Sequence, residues 1–190
     1  MKYSIAAALF ALPLVAASPS WAGTVVPLAP FSAIEVHGGG EVILRHGTTQ
    51  RVTLVTGSLD VSELKVVGDK LVVSPCKSFF SCPMHNDLSV DIVSPRIDRI
   101  AVHGGGDLTA KGAFPKQPSI SVEAHGGGDI DVRAIPADKA EAEVHGGGDV
   151  HLGQVGALNA EAHGGGDITY QGNPQPFVSS VHGGGSVSRQ

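Results

Sequence analysis

The 190-residue chain is 42% hydrophobic and only 16% charged, a balance that can fill one core. Beyond residue 22 it holds 12 basic against 18 acidic residues, a formal charge of −6, so no basic surface is available for nucleic acid. Aromatic residues make up 5% of the chain, too few for the sugar-stacking clefts in which paired carboxylates cleave glycans, and no enzyme is expected.

The first segment, MKYSIAAALFALPLVAASPSWAG, places Lys2 ahead of an apolar run from Ile5 to Ala17 and ends in small residues. This is the pattern of a secretory signal peptide over 1–22, cleaved after Ala22, and its apolar run is too short for a comfortable membrane span. Residues 23–190 then form a single domain, exported to the periplasm, the cell surface or the medium. No later run is long and apolar enough to cross a membrane.

A first strand is expected in FSAIEVHGGGEVILRHG, from Phe31, where apolar and polar residues alternate up to His37. The stretch from Arg45 to Pro95 is less regular. LKVVGDKLVVS reads as a hairpin turning at Gly68 and Asp69, and LSVDIVSP as a further strand. Its length would accommodate two more turns of the repeat described next. Between these strands Cys76 and Cys82 bracket KSFFS, and in an oxidising compartment a disulfide closing this short loop is expected. Met84 and His85 beside them also allow a soft copper site, a weaker reading.

From Ile100 onward one pentapeptide dominates. His-Gly-Gly-Gly followed by an acidic residue or serine occurs at His37, His103, His125, His145, His163 and His182, at intervals of 66, 22, 20, 18 and 19 residues. A period near 20 predicts an all-β chain wound as a parallel β-helix, with the N-terminal hairpin region as a less regular flank. The residues one and three before each histidine point inward, among them Val36, Ile34, Val144 and Ala142. The residue between them is Glu35, Ala101, Glu123, Glu143, Glu161 or Ser180 and points outward with the histidine. After the glycines the alternation resumes, as in Val150 and Leu152. The glycines Gly104-Gly105-Gly106, Gly126-Gly127-Gly128, Gly146-Gly147-Gly148 and Gly164-Gly165-Gly166 are read as corners that stack without side-chain clashes.

These features resemble the GIN domain family. The likeness rests on FSAIEVHGGGEVILRHG, LKVVGDKLVVS and the repeated GGGD corners, and covers roughly 31–190. The family comprises exported bacterial proteins described as autotransporter adhesin heads. The resemblance implies a right-handed parallel β-helix, an oligomeric state and no catalytic residues. The family commonly has Ser-Gly-Ser-Gly-Asp at the corner, whereas this chain has histidine first and glycine in the middle.

Stacked turns lie about 4.8 Å apart, so the histidines should form a ladder, secure for His125, His145 and His163 and extending to His103 and His182. Such a ladder, with Glu123, Glu143 and Glu161 beside it, suits Zn, Cu or Ni, because neutral imidazole is a common nitrogen ligand. His37 belongs to the same candidate set. Protonation of all nine histidines would bring the formal charge beyond residue 22 to +3, so the same face is also a candidate pH sensor. Inheritance of one ancestral turn explains the recurrence without any ligand. The acidic column of Glu41, Asp107, Asp129, Asp149 and Asp167 lies just past the bend, on a face that parity across three glycines leaves open. Calcium is conceivable there, although calcium solenoids use nonapeptide repeats. An oxyanion hole of the His-Gly-Gly-Gly type needs a G-x-S-x-G elbow, which is missing. The expected role is therefore a non-enzymatic, adhesin-like binding or structural module, with a homo-oligomer or protein partner at its C-terminal edge and metal or proton binding as the alternative.

Overall fold

The computed structural model describes residues 23–78 and 87–190. The expected signal segment, Cys82, Met84 and His85 lie outside the described residues, and the expected Cys76–Cys82 bond with them. Among the described residues there is no helix, and so none long and apolar enough to cross a membrane.

Strand follows from alternation. In β2 (Ala33–Gly38), β8 (Arg99–Gly104), β10 (Gln117–Gly126), β12 (Ala137–Gly146), β13 (Val150–Gly164) and β15 (Phe177–Gly183) the chain runs extended into the first glycine of each corner. It leaves the corner as β3 (Glu41–His46), β9 (Asp107–Lys111), β11 (Ile130–Val132), the start of β13, β14 (Ile168–Gly172) or β16 (Val187–Arg189). The flank adds β1 (Thr24–Val26), β4 (Arg51–Thr56), β5 (Glu63–Val67), β6 (Lys70–Ser74) and β7 (Ser89–Ser94).

Equivalent strands pair in parallel and in register. One ladder runs β6–β2–β8–β10–β12–β13–β15 and the other β7–β3–β9–β11–β13–β14–β16. Antiparallel strands cover the N-terminal end, with β4 on β7, β1 on β4 and β5 on β6. Between the ladders lies a single core. Ile34, Val36, Ile100, Val102, Val122 and Val144 face Val42, Leu44, Leu108, Ile130, Val150 and Leu152, all essentially inaccessible to water. Burying each such side chain contributes about 1.5–3 kcal/mol. On the five rungs from His37 to His163 the inward positions that alternation assigns are the buried ones, down to the small Ala142 and Ala160, whereas Ser179 and Val181 on the last rung are exposed.

One expectation is corrected here. The described residues are all-β, but their sixteen strands belong to one continuous sheet that curls into a nearly closed, barrel-like form, rather than to a uniform parallel β-helix. The reason is visible in β13, fifteen residues long. It begins in the second ladder and ends in the first without leaving the sheet, so the hydrogen bonding does not divide into separate faces. Among the described residues no rung intervenes in the 66-residue interval, which forms the flank. β2 pairs directly with β8, placing His37 against His103, while the irregular region is displaced to the outside of β2 and β3.

Candidate functional site

Each corner is built by its first and third glycines. Gly146 has φ +133°, a conformation that side-chain-bearing residues avoid, and a Cβ at Gly148 would collide with the carbonyl oxygen of Gly128 in the rung before. The carbonyls of Gly104, Gly126, Gly146 and Gly164 each accept two N–H bonds from the next rung. Gly126 takes those of Gly147 and Gly148 at 2.8 and 3.0 Å, and Gly146 those of Gly165 and Gly166 at 2.7 and 3.1 Å. The middle glycines differ. Nothing lies within 4 Å of a Cβ built at Gly105, Gly127, Gly147 or Gly165.

The acidic residue after the corner turns out to be structural. The backbone N–H of Asp129 donates to the Asp107 carboxylate, that of Asp149 to Asp129 and that of Asp167 to Asp149, at 3.0, 2.9 and 2.8 Å. Ser186 completes the series, donating its N–H and hydroxyl to Asp167. Glu41 stands outside it, for the Asp107 N–H donates to the Gly40 carbonyl instead.

On the other side of the glycines the imidazoles stack. His37, His103, His125, His145, His163 and His182 occupy one register position, with successive ring centroids 5.2, 4.9, 4.9, 4.8 and 5.0 Å apart and ring planes within 21° of parallel. Two residues earlier on the same outward face runs a second row, Glu35, Ala101, Glu123, Glu143, Glu161 and Ser180. His37 donates through Nε2 to Glu35 at 2.5 Å, His145 does the same to Glu143, and His163 stands 3.9 Å from Glu161. His182, with serine in that position, bonds to Ser180 at 3.1 Å.

The ladder is therefore uneven in charge. Burial alone would raise the Glu35 carboxyl, but hydrogen bonds from Lys70 and His37 hold it below the usual carboxylate range. His103 has no carboxylate on its own strand. Burial, with repulsion from His125 and His37, pushes it below the ordinary histidine value, against weaker support from Glu35 and Glu123.

The predicted metal residues are thus brought together as a row but not as a coordination shell. Parallel stacked rings keep their nitrogen lone pairs in parallel planes, whereas one ion needs ligands converging at about 2.0–2.1 Å. Among the described residues no three histidine, cysteine, aspartate or glutamate side chains are grouped to hold an ion.

Two partners were not legible in the sequence. Lys70 reaches Glu35 because β6 pairs with β2, a pairing no local pattern announces. His151 lies on the second ladder, in register with Asp131 and Thr169, and hydrogen-bonds to Thr169 at 2.8 Å. Its i+2 relation to Asp149 and its place one strand over from Asp131 offered only the alternation as a signal.

Across residues 30–132 and 116–174 the sequence matches the family model described as "Putative auto-transporter adhesin, head GIN domain". The chain belongs to the GIN domain family. A "putative adhesin" from Bacteroides fragilis has a similar crystal structure, with TM-score 0.55 at 16% identity over 91% of this chain and 98% of that one. A "putative adhesin" from Parabacteroides merdae matches at TM-score 0.42 and 13% identity, over 88% and 95% of the two chains. A "putative lipid binding protein" from Parabacteroides distasonis matches at 0.35 and 16%, over 88% and 96%. No curated protein matches the chain. The departure of this GIN domain from the family corner now has a physical reading. The family's second serine falls on the middle position, where the corner leaves open space, so serine and glycine are equally admissible there.

Proposed function

We propose that this GIN domain is an exported, non-enzymatic binding module of the adhesin type, and that the outward rows of histidine and glutamate are the surface it presents. The observation that carries the reading is the unbroken register of six imidazoles on the outward face, with a glutamate two residues earlier on four of the six rungs. A repeated row offers the same weak contact many times, which suits a partner whose own chemistry repeats. The family description supports the adhesin class. Beads coated with the protein and washed over bacterial and mucin surfaces test it. Changing His125, His145 and His163 to Ser should cut retention several-fold, and equal retention would refute the role of this face.

The partner at the end of the sheet is read as a second copy. β15 pairs on one side only and exposes Phe177, Val178 and Val181, with no charged side chain to discourage strand addition. Val178→Glu should shift the mass measured by light scattering toward monomer; an unchanged mass would exclude this edge.

A second reading is favoured by the stacked rings themselves. Neutral imidazoles one rung apart would bind Zn, Cu or Ni weakly if rotamer changes turned adjacent nitrogens toward a shared ion, and would repel one another once protonated, by about 1 kcal/mol per neighbouring pair in water-like dielectric. Calorimetry of metal-stripped protein against the same triple variant discriminates, and identical heats would end it.

A further inference from the structure

A groove of about 600 Å³ crosses the start of the first ladder, within the range of ligand sites. It runs perpendicular to the strands from the β5–β6 turn over β2, β8 and β10 to β12. Four strand spacings make it about 19 Å long. It lies about four residues upstream of the histidine row, some 13 Å along the strands, and belongs to neither column described above.

Its charged side chains are not equivalent. Asp69 accepts from the Ser32 hydroxyl, Asp98 is held by Arg96, Lys70 by Glu35, and Lys139 lies 3.2 Å from Glu141. Arg99, at the central strand, is exposed and has no hydrogen-bond or ion-pair partner among the described residues. A free guanidinium fork in a concave surface matches a carboxylate in bidentate geometry. Around it Ser119, Ser121 and the partnered carboxylates offer both donors and acceptors to hydroxyl groups. The flanking strands already have neighbours on both sides, so an extended peptide would find no backbone groups to pair with. No aromatic side chain lines the groove to hold a neutral sugar by stacking.

We infer that this groove binds a linear carboxylated saccharide of the uronate class, anchored by Arg99. The site goes beyond the histidine face and does not depend on it. Calorimetry of the purified protein at pH 7.5 with tetragalacturonate tests the assignment, alongside a neutral galactose tetrasaccharide and tetraglutamate. The expected result is binding of the tetragalacturonate at least tenfold tighter than either control. Arg99→Ala should lower the affinity at least tenfold, Arg99→Glu should abolish it, and Arg99→Lys should recover only part, all with unchanged Tm because the side chain is exposed. Changing His125, His145 and His163 to Ser should leave the affinity unaltered, which separates this site from the adhesive face. Absence of heat with tetragalacturonate, equal affinity for a control, or an unaffected Arg99→Ala variant would each overturn the proposal.

Discussion

Each corner carries two columns of ionisable groups, one before the glycines and one after, and they have opposite fates. The aspartates after the corner spend their carboxylates on backbone N–H groups of the next rung, so their spacing is part of the wall. The histidines before it stack on one another and meet outward glutamates or, at His182, Ser180, so their chemistry stays at the surface. Identical recurrence in sequence thus conceals a structural column and a presenting column. What separates them is whether the neighbouring rung offers an unpaired backbone donor within reach.

The largest effect that would break this contrast lies in the glycines between the columns. Gly148→Ala drives a Cβ into the Gly128 carbonyl and should cost about 3 kcal/mol, lowering Tm by about 6–12 °C. Gly147→Ala, facing open space, should leave Tm within about 1 °C by the same relation. Thermal unfolding of the two variants side by side checks this. Equal losses would mean that the corner is not organised by the contacts described.

Next comes the structural column. Asp149→Ala strips the acceptor from the Asp167 N–H and should destabilise by about 1.5–3 kcal/mol, as hydrogen bonds to charged groups do. Asp149→Asn retains an acceptor oxygen and should recover most of that. His145→Ser, in the presenting column, should change stability by less than about 0.5 kcal/mol. Urea titrations of the three rank the columns directly.

Acid should sharpen the difference. His103 has a lowered folded pKa, so between that value and the unfolded value near 6.5 the unfolded chain binds more protons. Its contribution is full above pH 6.5 and is lost as pH falls below it. Glu35, also lowered, contributes above the unfolded value near 4.5 and loses that contribution as pH falls through its folded value. Tm should therefore decline in two stages on acidification, and His103→Ser should remove the first. A profile flat from pH 7.5 to 5 would contradict the assignment.

The smallest effect is expected from Glu41→Asp, which nominally extends the aspartate column by one rung. The Asp107 N–H is already satisfied by the Gly40 carbonyl, so stability should move by less than about 0.5 kcal/mol. A larger gain would show that the carboxylate, not the carbonyl, is the preferred acceptor.

How much of this could be read from residues alone follows from the range of the forces involved. Alternation is local, so Val144 and Ala142 inward against Glu143 and His145 outward were legible, and recurrence at 18–22 residues implied the register of the five later histidines. Pairings across longer stretches were not. Nothing near His37 indicates that 66 residues loop out so that it meets His103, or that Lys70 arrives beside Glu35. Likewise, the three glycines of a corner look alike in sequence, and only the carbonyl of the preceding rung distinguishes Gly148 from Gly147. The fate of Asp149 depended on the same kind of contact, and the parity that would have revealed it is erased by the glycines themselves. The joining of the two ladders through β13 is a property of the whole sheet, which a period near 20 residues does not specify.

The emptiness around each central glycine has an engineering consequence. Gly105, Gly127, Gly147 and Gly165 form a file of four attachment points, one strand spacing apart, at which a cysteine, a dye or a grafted side chain can be introduced without touching anything behind it. The domain can serve as a molecular ruler whose graduations are about 4.8 Å, and its surface chemistry can be rewritten mark by mark while the scaffold stays the same.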